Sequence, residues 1–287
     1  MYNIEKRTRK FVRKHAILYK ILNFAIYNSR DYIKLELFKI LFSKTIIVNL
    51  YGKREKLRQV KIKYLNKRTN KNIYIAGYNF REVYLAAFEV FKEKEYNFLD
   101  VKGKQVVDIG GFDGDTAILF ALNGAKKVFV YEANPRLIPL IKYNIKSNIK
   151  ANKRKCIMIF NAFVDSSKGY KGTLFIDNQN MVNSIKDDQR SSMKIKIIKK
   201  TLNQITQSND IKGGMLKMDV EGAEYSIIKG ASLNTLKKYS KIQIDFHKHG
   251  YTDIVMKLEK AGFNCTITPK TKNRQSGYIT GTSLNKI

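Results

Sequence analysis

The sequence predicts an α/β fold: a mostly parallel sheet with helices on both faces. Three observations carry this reading. From residue 105 onward, apolar β-rich runs alternate with helical patterns, the rhythm of right-handed crossovers between parallel strands. The first run, Val106-Val107-Asp108-Ile109, enters the Gly-rich turn Gly110-Gly111-Phe112-Asp113-Gly114. The second, Val128-Phe129-Val130-Tyr131, ends on Glu132, 22 residues after Gly110. That is the layout of a nucleotide-type cofactor site on a parallel sheet.

Taken in order, residues 1–42 read as two helices, the second from about Asp31 to Phe42. Thr45 to Tyr51 and Gln59 to Tyr64 read as short β-branched strands around a charged turn, Gly52 to Lys56. Tyr78 to Val83 leads into a helix that reaches Val90. The first sheet strand is Gln105 to Ile109, followed by a helix from Asp115 to about Asn123. Lys127 to Glu132 is the second, with a helix from Pro135 to Asn148; Pro135 suits a first helical turn, where its missing N–H costs nothing. Cys156 to Val164 is the third strand, and a hairpin-like insertion follows with strands Gly172 to Ile176 and Met193 to Lys199. Met215 to Val220 and a helix through Gly230 come next, then Lys241 to His247 and a helix from Tyr251 to Ala261. Asn264 to Thr268 and Gly277 to Thr282 close the chain as an antiparallel pair.

At 287 residues the chain can bury one sizeable core, so we expect a basic N-terminal extension, 1–77, and a main domain, 78–287. Cys156 and Cys265 lack metal-ligand spacing and read as buried thiols of a reducing compartment. The formal net charge is +31, and residues 1–75 hold 20 Lys/Arg against 4 Asp/Glu. Such a field favours polyanions, which leaves RNA or an anionic membrane surface open as partners; an A+T-rich genome explains the same lysines without any partner. No apolar run reaches spanning length, and Ala16 to Tyr27 contains Lys20. Phe11, His15, Leu18, Leu22 and Ala25 form a helical stripe behind Arg7, Arg9, Lys10, Arg13 and Lys14. It reads either as a docked helix or as one lying on a membrane. The expected location is cytoplasmic, with peripheral membrane attachment as the variant. The sequence leaves the oligomeric state open.

The turn narrows the cofactor. A dinucleotide site would want G-x-G-x-x-G, but Asp113 and Asp115 stand where a phosphate would be repelled. No Gly-Lys-Ser/Thr follows, which excludes a P-loop. Acids at the turn suit a cationic cofactor without phosphate, and S-adenosylmethionine fits, with Glu132 placed for its ribose hydroxyls.

Asp108 to Ala117, Tyr131-Glu132-Ala133-Asn134-Pro135 and the block Leu216-Lys217-Met218-Asp219-Val220-Glu221-Gly222-Ala223-Glu224 resemble the FkbM family of S-adenosylmethionine-dependent O-methyltransferases. Asn161-Ala162, Ile244-Asp245-Phe246-His247 and the Arg81-Glu82-Val83 lead-in are also similar. The resemblance covers about residues 78–265. It implies a class I methyltransferase fold, Rossmann-like with seven strands, and methyl transfer to a hydroxyl-bearing acceptor, often a sugar, glycan or glycolipid. It further implies that Asp108 and Gly110 line the methionine end, Glu132 the ribose, and Asn161-Ala162 the adenine edge. Gly111, Phe112, Asp113, Ala133 and Asp219 would complete the cofactor contacts. Phe112 departs from the family, which usually carries Asn there.

Asp219, Glu221 and His247 lie where strands end and ligands bind, so they are the candidate catalytic groups. Methyl transfer to an alcohol needs a group that takes its proton. His247 is the candidate base, since imidazole titrates near neutrality; Asp219 is the carboxylate alternative, or orients the ring. A divalent cation on Asp219, Glu221 and His247 is a further alternative, not the favoured one. Plainer roles stand beside these: helix capping for Glu221, a solvent-facing acid for Glu224, a strand-end hydrogen bond for His247. Lys217, inside an apolar strand, reads as a partner for Asp219.

Two other functions compete. Glu132-Ala133-Asn134-Pro135 with Asn144 and Asn148 is similar to tRNA guanosine methyltransferases, and the charge suits RNA. A silent methyltransferase fold serving as a basic binding protein is the other.

Overall fold

The computed structural model describes residues 43–50, 52–65, 70–93, 95–166, 172–176, 183–184, 193–247, 250–270 and 276–285. The helices expected in 1–42, and with them His15, lie outside these residues, as does His249.

The described chain opens with an antiparallel meander: β1 (Ser43–Leu50), β2 (Lys53–Leu65) and β3 (Asn70–Gly77). The charged turn expected over 52–56 is mostly strand, because Lys53 to Lys56 pair in register with β1 and the reversal tightens onto Gly52 at φ +78°. The sequence reading missed β3, whose apolar residues, Ile73 and Ile75, are too few to mark a strand alone. They become one when paired with Ile62 and Val60.

Helix α1 (Phe80–Phe88) continues into a π-helical turn, Glu89–Glu93. Then come β4 (Gln105–Ile109), α2 (Asp115–Leu122), β5 (Lys127–Glu132), α3 (Leu137–Asn148), α4 (Ala151–Arg154) and β6 (Ile157–Asn161). Pro135 precedes α3 rather than opening it. Pro139 takes the first-turn place instead, where an N–H has no intrahelical acceptor to lose. The expected third strand breaks at Ala162: β6 pairs with β5, whereas β7 (Phe163–Val164) leaves to pair with β11 (Lys199–Lys200). The insertion is a small antiparallel sheet of β8 (Gly172–Ile176), β9 (Asn183–Ser184) and β10 (Met193–Ile197).

Helix α5 (Leu202–Ser208) was not expected, although its start carries a capping box, Thr201 with Gln204. Strand β12 (Gly214–Met218) follows, then α6 (Glu224–Gly230), α7 (Leu233–Leu236), β13 (Tyr239–His247), α8 (Tyr251–Lys260), β14 (Phe263–Pro269) and β15 (Ser276–Ser283).

The main sheet has seven strands in the order β14-β15-β13-β12-β4-β5-β6. Strands β6, β5, β4, β12 and β13 are parallel, and β15 runs antiparallel to both neighbours. Numbered within the sheet, this is 3-2-1-4-5-7-6, the class I methyltransferase arrangement. The chain reverses its direction of winding between β4 and β12, which opens a crevice at their carboxyl ends.

Alternation along the strands divides the interior in two. Val106, Val128, Val130 and Met215 pack with α1 and α2 and with Val60, Ile62, Ile73 and Ile75 of the N-terminal meander. Val107, Ile109, Leu216, Met218, Ile242 and Ile244 pack with α5, α6 and α8 on the other face. No helix among the described residues is long and apolar enough to cross a membrane.

Candidate active site

The turn after β4 is fixed by backbone. Gly110 and Gly111 both donate to the Tyr131 carbonyl, at 2.9 and 3.2 Å. Gly110 has φ +85°, and a Cβ there would fall 1.8 Å from the Asp219 carbonyl oxygen. The glycine therefore serves the close approach of two strand ends. Phe112 is itself left-handed at φ +43°.

That conformation aims the Phe112 N–H at Glu132 Oε2, 2.9 Å away, while Asn134 N–H reaches Oε1 at 2.7 Å. Each carboxylate oxygen keeps acceptor capacity beyond these bonds. Burial raises the Glu132 pKa to about 7 despite both N–H donors. Asn161 donates to the Glu132 and Ala133 carbonyls, at 2.9 Å each, and so braces the ends of β5 and β6.

Beneath the turn sits a sealed charge pair. Lys217 Nζ lies 3.1 Å from Asp108 Oδ1 and donates to the Gly110 carbonyl at 2.5 Å. Thr116 Oγ1 donates to Asp108 Oδ2 at 2.6 Å. Lys217 thus ion-pairs with Asp108, where the sequence had suggested Asp219. Burial opposes its charge, yet Asp108, Asp219 and Asp115 hold its pKa above the ordinary lysine value. Asp113 is fully buried; burial and neighbouring Asp115 push its pKa well up. Burial likewise lifts Asp115 to about 7.

A cavity of about 420 Å³ opens above this floor. Of the residues expected at the site, Gly110, Phe112, Glu132, Ala133, Ala162, Asp219 and Glu221 line it. Asp108, Gly111, Asp113, Asn161 and His247 are not part of the lining. At Gly111 an added Cβ would meet Val130 Cγ1 at 2.4 Å, so that glycine answers to packing. The sequence reading missed the wall given by α1 and the segment after it: Glu82, Leu85, Ala86, Glu89, Glu95 and Tyr96. Glu82 and Glu89 are seven residues apart, two turns along one helix face, and that spacing was a legible signal.

The far end is an ionic cluster. His247 Nδ1 sits 3.0 Å from Glu224 Oε1 and Nε2 sits 3.5 Å from Glu221 Oε2. Glu224, expected to face solvent, is buried, and its Oε1 also accepts from Val220 and Gly222 N–H at 3.2 and 3.1 Å. Burial alone would lower the His247 pKa, but the Glu224 bond and the Glu221 and Asp219 charges raise it to about 9. Behind it, Lys270 bonds Asp245 at 2.7 Å, lies 3.4 Å from Glu95, and sits 4.2 Å from the Tyr278 ring centroid. No local pattern around Lys270 announced this.

The family model described as "Methyltransferase FkbM domain" matches residues 108–265, which hold the turn, Glu132, the Asp219 to Glu224 block and His247. The chain belongs to the FkbM methyltransferase family. The FkbM domain here is similar to the crystal structure of methyltransferase FkbM from Methylobacillus flagellatus, at 15% identity and a TM-score of 0.44. That alignment covers 62% of this chain and 43% of the other, so this chain spans less than half of that protein. An rRNA methylase from Streptococcus thermophilus aligns at 7% identity and a TM-score of 0.43, covering 68% of this chain and 96% of its own. Aeropyrum pernix fibrillarin, with bound S-adenosyl-L-methionine, aligns at 14% and 0.42, covering 83% and 94%. No curated protein matches this FkbM chain in sequence. Its half-buried cysteines, Cys156 and Cys265, are free thiols.

Proposed function

We propose that this protein is an S-adenosylmethionine-dependent O-methyltransferase acting on a hydroxyl of a sugar, glycan or glycolipid. One observation carries the reading. In a chain of net charge +31, the described lining of the cavity at the ends of β4, β5 and β12 carries seven carboxyl groups, Glu82, Glu89, Glu95, Asp115, Glu132, Asp219 and Glu221, against one cation, Lys217. Such a lining suits a cationic cofactor and a neutral, hydroxyl-rich acceptor, and it repels a phosphate backbone.

Glu132, pre-set by two backbone N–H groups, would accept the ribose hydroxyls. Ala133, Ala162, Phe163 and Leu137 would hold the base, and Gly110, Phe112 and Asp115 the methionine end. Asp108 and Asp113 act from beneath, through Lys217 and the turn. When bound, S-adenosylmethionine supplies an activated methyl on a sulfonium. Asp219 and Glu221 line the acceptor end, and Asp219 takes the hydroxyl proton. With a pKa near 9, His247 is charged at neutral pH, so it steadies the Glu221 and Asp219 carboxylates and leaves proton removal to Asp219.

Two of the residues that suggested RNA have a structural role. Asn144 spans Ala76 N–H and C=O, at 2.9 and 2.8 Å, and Asn148 does the same at Tyr74, at 2.9 and 2.7 Å. Both asparagines are engaged with the edge of β3.

The test has two parts. Equilibrium binding of S-adenosylmethionine should be clear in the wild type and at least tenfold weaker in Glu132→Ala. Labelled methyl from the cofactor should then enter a glycan or glycolipid fraction of a cell extract. Absence of cofactor binding, or label confined to RNA, overturns the proposal.

A further inference from the structure

We infer that Asp219, Asp245 and His247 form a binding site for a divalent cation of the Mn2+/Mg2+ class beside the cavity, which it meets at Asp219. Use of that cation in methyl transfer rests on the function proposed above; its binding does not. Asp219 follows the end of β12, and Asp245 and His247 sit two apart on the adjacent β13, so strand periodicity sends both to one face. One ligand atom from each of the three lies within 4.8 Å of the other two. Ligands on one ion at bonds of roughly 2.1–2.4 Å are separated by no more than about that span.

Two further features point to an ion. The first is Asp245, which is 3% exposed. Its Oδ2 takes the Lys270 bond, while Oδ1 is buried without a hydrogen-bond partner among the described residues. A buried carboxylate oxygen left unsatisfied is costly, and a cation beside it removes the cost. The second is the acid behind the imidazole. Glu224 Oε1, held by the Val220 and Gly222 N–H groups, receives His247 Nδ1. A carboxylate in that position fixes the ring through Nδ1, and an ion takes Nε2 by displacing the proton that His247 carries without it. Glu221 Oε2, 3.5 Å from Nε2, is close enough to join as a further oxygen. One imidazole with carboxylates and no thiolate is a donor set for Mn2+ or Mg2+ rather than a thiophilic metal. A divalent cation there supplies Lewis acidity to an acceptor hydroxyl. The sequence reading chose Glu221 as the third ligand; the geometry replaces it with Asp245.

The experiment is a Mn2+ titration of the full chain, stripped with a chelator, at fixed pH and without cofactor, following free Mn2+ by electron paramagnetic resonance. One site per chain is expected, displaced by excess Mg2+. Asp245→Asn and His247→Gln should each weaken it at least tenfold, whereas the exposed acid variant Asp210→Asn should not. Retained S-adenosylmethionine binding shows that a variant is folded. No stoichiometric Mn2+ binding, or equal binding by both variants, overturns the site. Mn2+ bound without any methyl transfer would sink the function proposed above and leave the site standing; full transfer in chelator by a chain that binds no Mn2+ would do the reverse.

Discussion

Lys217 and Asp108 face each other at 3.1 Å on neighbouring strands, their side chains 3% and 0% exposed. The pair lies under the glycine turn, and Lys217 also holds the Gly110 carbonyl. Removing one partner strands the other charge in the interior, which costs about 3–5 kcal/mol. Lys217→Met should therefore lower unfolding stability in urea by that amount. Adding Asp108→Asn should recover part of the loss, because the orphaned charge disappears with it. Losses that simply add would show that the two residues are not coupled.

Glu132 predicts a pH dependence whose sign is fixed by its shift. Its pKa is raised from 4.5 to about 7 in the folded protein. A raised carboxylate contributes its stability fully below the unfolded value and loses it as pH rises through the folded one. Between pH 5 and 8 this amounts to about 2–3 kcal/mol at 1.36 kcal/mol per unit. Glu132→Gln does not titrate, so its stability relative to wild type should improve by about that much over the same range. Cofactor affinity should move oppositely, rising with pH in the wild type and staying flat and weak in the variant. Parallel stability curves for the two proteins would contradict the assignment.

Asn144 makes three side-chain bonds, to Ala76 N–H, the Ala76 carbonyl and the Asp113 carbonyl, at 2.8–2.9 Å. It ties α3, β3 and the glycine turn together. Truncation to Ala leaves buried backbone groups without partners, at about 1–3 kcal/mol for each. Asn144→Ala should lower the urea midpoint strongly, while RNA affinity at fixed salt stays unchanged. A selective loss of RNA binding in a protein of normal stability would give Asn144 a recognition role instead.

These residues show what the sequence could and could not display. Strands β4, β5, β12 and β13 were legible because each is a compact apolar run, and the turn because its glycines and acids are contiguous. Glu132 was legible by spacing alone. The structural role of Asn144 and Asn148 was not legible, since an asparagine along a helix looks the same whether or not it meets a strand edge. Strand β3 and the Lys270–Asp245–Glu95 cluster were illegible for a different reason. Strand β3 takes its meaning from β2, 5 to 19 residues back, and the cluster from partners 25 and 175 residues away; no local period encodes such pairings. Glu224 shows the same limit: an acid opening a helix is ordinarily solvated, and only the return of β13 with His247 buries it.

The glycines of the site should respond to substitution in a graded way that separates close approach from strain. Gly110 and Gly222 both have positive φ, +85° and +115°. A Cβ at Gly110 would overlap the Asp219 carbonyl at 1.8 Å, whereas at Gly222 nothing lies within 4 Å. Gly222→Ala therefore carries only the backbone penalty, of order 1–3 kcal/mol. Gly110→Ala carries that penalty and must also push β4 and β12 apart, in a place where Lys217 and the Tyr131 carbonyl already pin the turn. The expected order is a folded Gly222→Ala protein with a modestly lowered melting temperature, and a Gly110→Ala protein that is far less stable and has lost cofactor binding. Equal losses in the two variants would mean that backbone conformation alone, and not the contact with Asp219, demands glycine at 110.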